Sequence, residues 1–296
     1  MKNKGFTKHY YLMLLPGFAW LTLFSLVPMF GIVIAFQDFN PGKGIFHSEW
    51  VGFENFQYMF SLSDSRSIFW NTIFIAIMKM IGNLIVPLVF ALMLNELRSM
   101  VFKRWIQTIV YLPHFLSWVI LAGILLDVFS YTGPVNSLLG VFSIEPILFF
   151  GNADLFPFMI VASDVWKEFG FNTIIYLAAL TAINPTLYEA AGIDGASRWQ
   201  SLRHVTLPGI SATIVLLAVL SLGNVLNAGF DQVFNLYNPL VYSKGDIIDT
   251  WVYRTGLLNL QYGLATAVGL LKSVVSFLLI AVSYMLASKY ANYRIF

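Results

Sequence analysis

The sequence predicts an all-α, polytopic membrane protein with six transmembrane helices. Of its 296 residues, 58% are hydrophobic and only 11% are charged, and the mean hydropathy is +0.74. A soluble domain carries roughly 25% charged residues, so a water-soluble single domain is excluded. Each bilayer crossing consumes about 20 apolar residues, which leaves room for several crossings and their loops but no sizeable soluble domain. The absence of cysteine excludes disulfide frameworks, thiolate metal sites and cysteine nucleophiles.

The first span is expected from about Tyr11 to Phe36, interrupted by Pro16 and Pro28, which membrane helices tolerate. Its apolar run exceeds the roughly 7 to 15 residues of a cleavable signal, so it reads as a retained helix. Further spans are expected at about Trp70 to Leu94, Ile106 to Val128, Leu155 to Leu180, Ala212 to Phe230 and Leu264 to Ala287. An even number places both termini on one side. That side holds Lys2, Lys4, Lys8, Arg98, Lys103, Arg104, Arg198, Arg203, Lys289 and Arg294, whereas the other holds only Lys43, Arg66, Lys244 and Arg254. Lys79, Lys167 and Lys272 fall within spans. The excess of basic residues places both termini in the cytoplasm. Residues 1–68 then form a cytoplasmic tail, the first helix and an outer loop, and residues 69–296 a five-helix core. Trp50, Trp105, Tyr111 and Tyr290 lie near span ends, where an interfacial aromatic belt accounts for them.

Between the fourth and fifth spans, residues 181–208 are too patterned for a tether. Asn184 suits the cap of a helix starting at Pro185, where a missing N–H costs nothing. Asp194-Gly195 reads as a turn, with Asp194 capping a second short helix in which Trp199, Leu202 and Val205 recur at helical spacing. Two short helices are marginal alone in water, and Ala190, Ala191, Gly192, Gly195 and Ala196 would admit another surface close to the backbone. A docking hairpin is expected, with an ordinary helical loop as the alternative.

Glu189-Ala190-Ala191, Asp194-Gly195-Ala196 and Leu207-Pro208 resemble the coupling loop of permease subunits of binding-protein-dependent ABC importers. Trp50-Val51-Gly52-Phe53-Glu54-Asn55-Phe56, Tyr111-Leu112-Pro113-His114-Phe115 and Gly133-Pro134-Val135-Asn136 are similar to the sugar-type, maltose-like branch. Asn238-Pro239-Leu240-Val241-Tyr242 and Asp249-Thr250-Trp251-Val252-Tyr253-Arg254 resemble members handling pectin-derived or other complex oligosaccharides. Where many members carry a further proline, Gly209-Ile210-Ser211-Ala212 follows here. The resemblance implies a type I ABC importer permease in a bacterial cytoplasmic membrane. Its implied partners are a second homologous permease, two ATPase subunits, an external solute-binding protein, membrane lipid and an oligosaccharide, with no nucleic acid. It assigns ATPase coupling to Glu189, Ala190, Ala191, Asp194, Gly195, Ala196, Leu207 and Pro208.

The chain has no phosphate-binding G-x-x-x-x-G-K-[ST] sequence, so ATP and Mg belong on partner subunits and no cofactor is expected in this chain. His9, His47, His114 and His204 are scattered, with no H-E-x-x-H pair, so neither a metal site nor an enzyme is expected. The alternatives are an ABC permease for another solute and, behind it, an ion-coupled carrier, suited by Lys79, Asp127, Asp164, Lys167, Glu168 and Lys272; the carrier does not predict the hairpin. In the fourth span Asp164, Lys167, Glu168 and Asn172 share one helix face, either as an internal Asp164–Lys167 ion pair or as substrate contacts. Sugars offer hydroxyls to amides and flat C–H faces to aromatic rings, so Trp118, Asp164, Lys167, Asn172, Asn224 and Asn227 are candidate pathway contacts. Helix packing explains the same residues. Anionic pectin fragments would favour a basic lining, for which Lys79, Lys167 and Lys272 are the available groups; neutral oligosaccharides would leave those lysines as structural ion pairs.

Overall fold

A computed structural model describes residues 4–223 and 225–290, with side chains over 8–223 and 225–285. Helices make up most of it, and the sheet among the described residues is a two-stranded antiparallel ribbon pairing Gln37 with Trp50 and Asp38 with Glu49. The chain divides into two compact units, residues 1–62 with 252–271 and residues 63–251 with 272–296.

In the first unit α1 (Lys4–Leu21) continues through a π turn (Thr22–Leu26) and a 3-10 stretch (Phe30–Phe36), so that Lys8–Phe36 forms an apolar rod of 29 residues. Pro16 is accommodated inside α1, and Pro28 comes two residues after the π turn, where widened backbone spacing tolerates a missing donor. Leu14, Phe18, Trp20, Phe24 and Phe30 are all exposed on the rod. Such a surface calls for lipid or another protein around it. Beyond the rod, Phe36 stacks on Trp50 at 5.6 Å and Asn55 donates to the carbonyls of Ala35 and Gln37 at 3.0 Å, which fixes the ribbon.

The second unit is built on α2 (Ser63–Asn95), α3 (Met100–Tyr111), α4 (Trp118–Val128), α5 (Phe156–Thr181), α6 (Pro185–Ile193), α7 (Leu207–Leu222) and α8 (Phe230–Leu236). The last long helix, α9 (Tyr262–Tyr290), starts in the first unit and ends in the second. Helices α2 and α5 lie side by side, with Tyr176 donating to Leu84 O at 3.1 Å and Thr173 to Pro87 O at 3.3 Å. A Cβ at Gly82 would overlap Val165 and one at Gly170 would overlap the Val110 carbonyl, so both glycines permit close helix approach. One apolar core gathers Ile75, Leu121, Phe156, Ile160 and Val233; a second gathers Leu94, Tyr176, Leu180, Ile183 and Ile210.

Two expectations need correction. The third span is not one rod, because Met100–Phe115 and Trp118–Val128 meet at 105°. Pro113 lies in a 3-10 turn (Leu112–Phe115) and Ser117 starts a new helix by accepting the Ile120 N–H at 3.4 Å. The fifth span does not reach Phe230: helix α7 ends at Leu222, and Gly229, at φ +91°, turns the chain into α8. Six spans are not reached by length and apolarity. Among the described residues four helices qualify, Lys8–Phe36, Ser63–Asn95, Arg198–Leu222 and Tyr262–Met285, or five with the bent pair. Helix α5 has 26 residues but carries Asp164, Lys167 and Glu168 inside it.

Candidate coupling hairpin and transport pathway

The hairpin begins as the sequence suggests: Asn184 Oδ1 accepts the Thr186 N–H at 3.1 Å and Pro185 is the first residue of α6. Its end explains the spacing of the motif. Gly195 N–H bonds Gly192 O at 3.1 Å and Ala196 N–H bonds Ala191 O at 2.9 Å, with Gly195 at φ +75°. Those two bonds around a left-handed residue form a Schellman cap, which satisfies the helix's last carbonyls. Asp194 therefore closes α6 and does not cap the next helix. That role falls to Ser197, whose Oγ accepts from Gln200 N at 3.3 Å while Gln200 Oε1 accepts from Ser197 N at 2.7 Å. Ser197-x-x-Gln200 is a capping box visible in the sequence.

The second arm is likewise not a separate short helix. Arg198–Ser201, a π turn (Leu202–Thr206) and α7 form one continuous run, Arg198–Leu222, with Leu207 and Pro208 opening α7. The π turn lies where Pro208 would otherwise break the ladder. Tyr188 and Thr206 share a hydrogen bond at 2.9 Å that clamps the two arms. Glu189, Ala190, Asp194 and Gly195 are exposed, and Ile193 at 88% and Trp199 at 68% project large apolar side chains into open space. A groove of about 630 Å³, lined by Met93, Glu96, Tyr188, Arg198, Trp199 and Leu202, separates the hairpin from the end of α2.

The pathway candidates fall into three places. Asp164 and Asn172 are joined through Asn83, which donates to Asp164 Oδ2 at 2.9 Å and accepts from Asn172 at 3.4 Å. Asp164 Oδ1 lies 3.1 Å from Lys79 Nζ, so the pair within α5 that the sequence allows is not formed. Lys167 instead meets Glu168 at 2.8 Å and the His114 carbonyl at 3.0 Å, with its ammonium 5.5 Å from the Trp118 ring centroid. His114 Nδ1 is 2.7 Å from Glu168 Oε2, and its ring stacks on Phe171 at 4.0 Å. This group fastens the bend between α3 and α4 to α5.

Asn227 joins neither group. It lines a cavity of about 400 Å³ with Phe230, Ser276, Asp249 and Lys272, and Lys272 is paired with Asp249 there. Asn224 lies outside the described residues. Sequence reasoning missed the partners of the lysines: Asp164 for Lys79, Glu168 for Lys167 and Asp249 for Lys272. Only the second pair is local, as adjacent residues. Among the described residues no group of three or more His, Asp or Glu is placed to hold a metal.

Residues 83–292 match the family described as "Binding-protein-dependent transport system inner membrane component". Protein LplB of Bacillus subtilis (strain 168) is 42% identical over 290 residues, covering 98% of this chain and 91% of that protein. The polygalacturonan/rhamnogalacturonan transport system permease protein YteP of the same organism is 41% identical, covering 98% of this chain and 90% of that protein. In a crystal structure of a bacterial alginate ABC transporter with an alginate pentasaccharide-bound periplasmic protein, one chain superposes with a TM-score of 0.91 at 34% identity, covering 99% of each chain.

Proposed function

Because the chain belongs to the family of binding-protein-dependent transport system inner membrane components, we propose that it forms one half of a transmembrane passage through which an ABC importer moves a complex oligosaccharide. It is a multi-pass, all-α membrane permease subunit of a sugar or oligosaccharide ABC importer that works with an external binding protein, and it is not catalytic. The importer is a multi-subunit complex of permease pair, ATPase and solute-binding protein. In our reading two ATPase subunits carry ATP and Mg, the permease partner is homologous, and the complex lies in a bacterial cytoplasmic membrane.

The observation that carries the coupling role is the hairpin, a clamped two-armed element with an exposed Schellman tip and exposed Ile193 and Trp199. Glu189, Ala190, Ala191, Asp194, Gly195 and Ala196 seat on the ATPase, and Leu207-Pro208 leads the second arm into the membrane. In our reading the bent pair and α5 each cross the membrane, which gives six crossings and both termini in the cytoplasm, with residues 1–68 as a peripheral segment and 69–296 as the core. Trp118, Asp164, Lys167, Asn172, Asn224 and Asn227 border the passage.

The lysines bear on the substrate. Lys79, Lys167 and Lys272 each face a carboxylate, so their charge is compensated within this chain. Recognition here rests on hydroxyl and aromatic contacts, and any preference for acidic sugars resides on the partner subunits. The test is uptake by the reconstituted complex with its binding protein. Transport of oligosaccharides supports the reading; transport only of amino acids, phosphate or metal ions refutes the sugar assignment, and uptake by this chain alone refutes the importer.

A further inference from the structure

We infer that Lys79 is a positioning residue that caps the helix break before α8 and thereby fixes the segment presenting Asn227. Lys79 stands at the middle of α2, which has 33 residues. Its ammonium has three N–H groups and three acceptors: Ala228 O at 2.7 Å, Asp164 Oδ1 at 3.1 Å and Gln232 Oε1. Gln232 is fully buried and donates to Ile160 O and Ser163 Oγ, both at 2.8 Å. Asp164 Oδ2 receives Asn83. The cluster is closed on itself and leaves Lys79 no N–H for a passing sugar.

A helix interrupted between Leu222 and Phe230 loses backbone bonds. Without water, each carbonyl so freed is destabilising unless protein satisfies it. Ala228, fully buried, is such a residue, and the lysine supplies the donor that the missing helical turn does not. Gly229 completes the fit independently. It holds φ +91°, and a Cβ there would stand 2.8 Å from Lys79 Nζ, so glycine both allows the turn and admits the ammonium. Asp164, 3.1 Å away, holds the ammonium in place; on this view the pair borders the passage as scaffold and is not an ion-coupling device.

The consequence for transport rests on the reading that Asn227, one residue before the pinned carbonyl, borders the passage. The test uses the assembled importer and the cysteine-free chain. Leu226 and Thr173 are both buried; Leu226→Cys probes the break and Thr173→Cys the α2–α5 contact. Lys79→Met removes the pin but strands Asp164, so Lys79→Met/Asp164→Leu is made beside it to remove both charges. The expected result for the double variant is maleimide labelling at Leu226→Cys about tenfold or more faster with Thr173→Cys still protected, together with a raised half-saturating oligosaccharide concentration and a smaller change in maximal rate. Unchanged labelling at Leu226→Cys overturns the inference. So does equal acceleration at both probes, which would make Lys79 a determinant of the whole fold. Faster labelling at Leu226→Cys with wild-type uptake kinetics upholds the pin and counts instead against Asn227 as a pathway residue.

Discussion

Gly195 offers a clean perturbation because strain and bulk separate there. The residue holds φ +75°, and a Cβ added to it meets nothing within 4 Å. A side chain at this position therefore has room within the chain, and its cost is that of the left-handed backbone, roughly 1–2 kcal/mol for an ordinary residue. A β-branched residue is a conformational outlier there, whereas asparagine tolerates the left-handed region. In the isolated hairpin the order of tolerance is Gly, Asn, Ala, Val. A shift of one to two kcal/mol lowers the ratio of correctly turned to misturned tips by about 5- to 30-fold, and the bonds Gly195–Gly192 and Ala196–Ala191 are absent from the misturned ones. The assay is substrate-stimulated ATP hydrolysis and uptake in proteoliposomes, with ATPase retention on affinity purification. If strain governs, Gly195→Asn couples better than Gly195→Ala, although it is larger. If close approach by the ATPase governs, the order of these two inverts. Gly195→Val with wild-type uptake and coupled hydrolysis refutes both the turn's importance and the seating of the hairpin.

Loss of the capping box in Ser197→Ala should cost about 1 kcal/mol, seen as faster hydrogen exchange over residues 198–206 with little change in membrane insertion. Arg198→Ala breaks only the exposed 3.5 Å contact with Glu96 and should change stability by less than about 1 kcal/mol in thermal denaturation. Glu168→Ala strands buried Lys167 and should destabilise by about 3–5 kcal/mol, read as loss of complex on size exclusion, while Lys167→Met/Glu168→Leu should recover much of the assembly. Single cysteines at Gly44 and Gly192 should react with impermeant reagent from opposite sides; outward reaction at Gly192 would overturn the orientation and the coupling assignment together.

What the sequence discloses and what it conceals divide along a physical line. Helix α5 was legible to within one residue at either end, because a long apolar run is decided by local composition. The cap at Asn184 and the turn at Asp194-Gly195 were legible because they too are decided locally. Pro113 was equally visible, but a proline in a span kinks, bends or passes unnoticed depending on what packs beside it. Here that is Glu168 and Lys167, more than fifty residues along the chain. Asp194-Gly195 carries so strong a turn signal that Asp194 read as the cap of the helix after it; the three residues consumed by the Schellman turn move that cap to Ser197. The lysine partners were the least accessible. A three-residue spacing on one helix suggests Asp164 with Lys167, and only the packing of α2 on α5 brings Lys79 to the carboxylate instead.

The continuity of Arg198 with Leu222 has a mechanical consequence. Helix α7 has 16 residues, a rod of about 24 Å at 1.5 Å per residue, and no flexible tether separates it from the second arm of the hairpin. A force applied to the exposed arm is thus delivered as torque on a beam. The widened turn at Leu202–Thr206 is the most compliant point along that beam, since π turns carry poorer backbone spacing than the helix around them. Tilting the rod by about 10° around this pivot would swing its far end, beside the broken segment, by roughly 4 Å over its length. Stiffening or softening this one turn would therefore set the gearing between stroke at the membrane surface and displacement deep inside it, without altering either end.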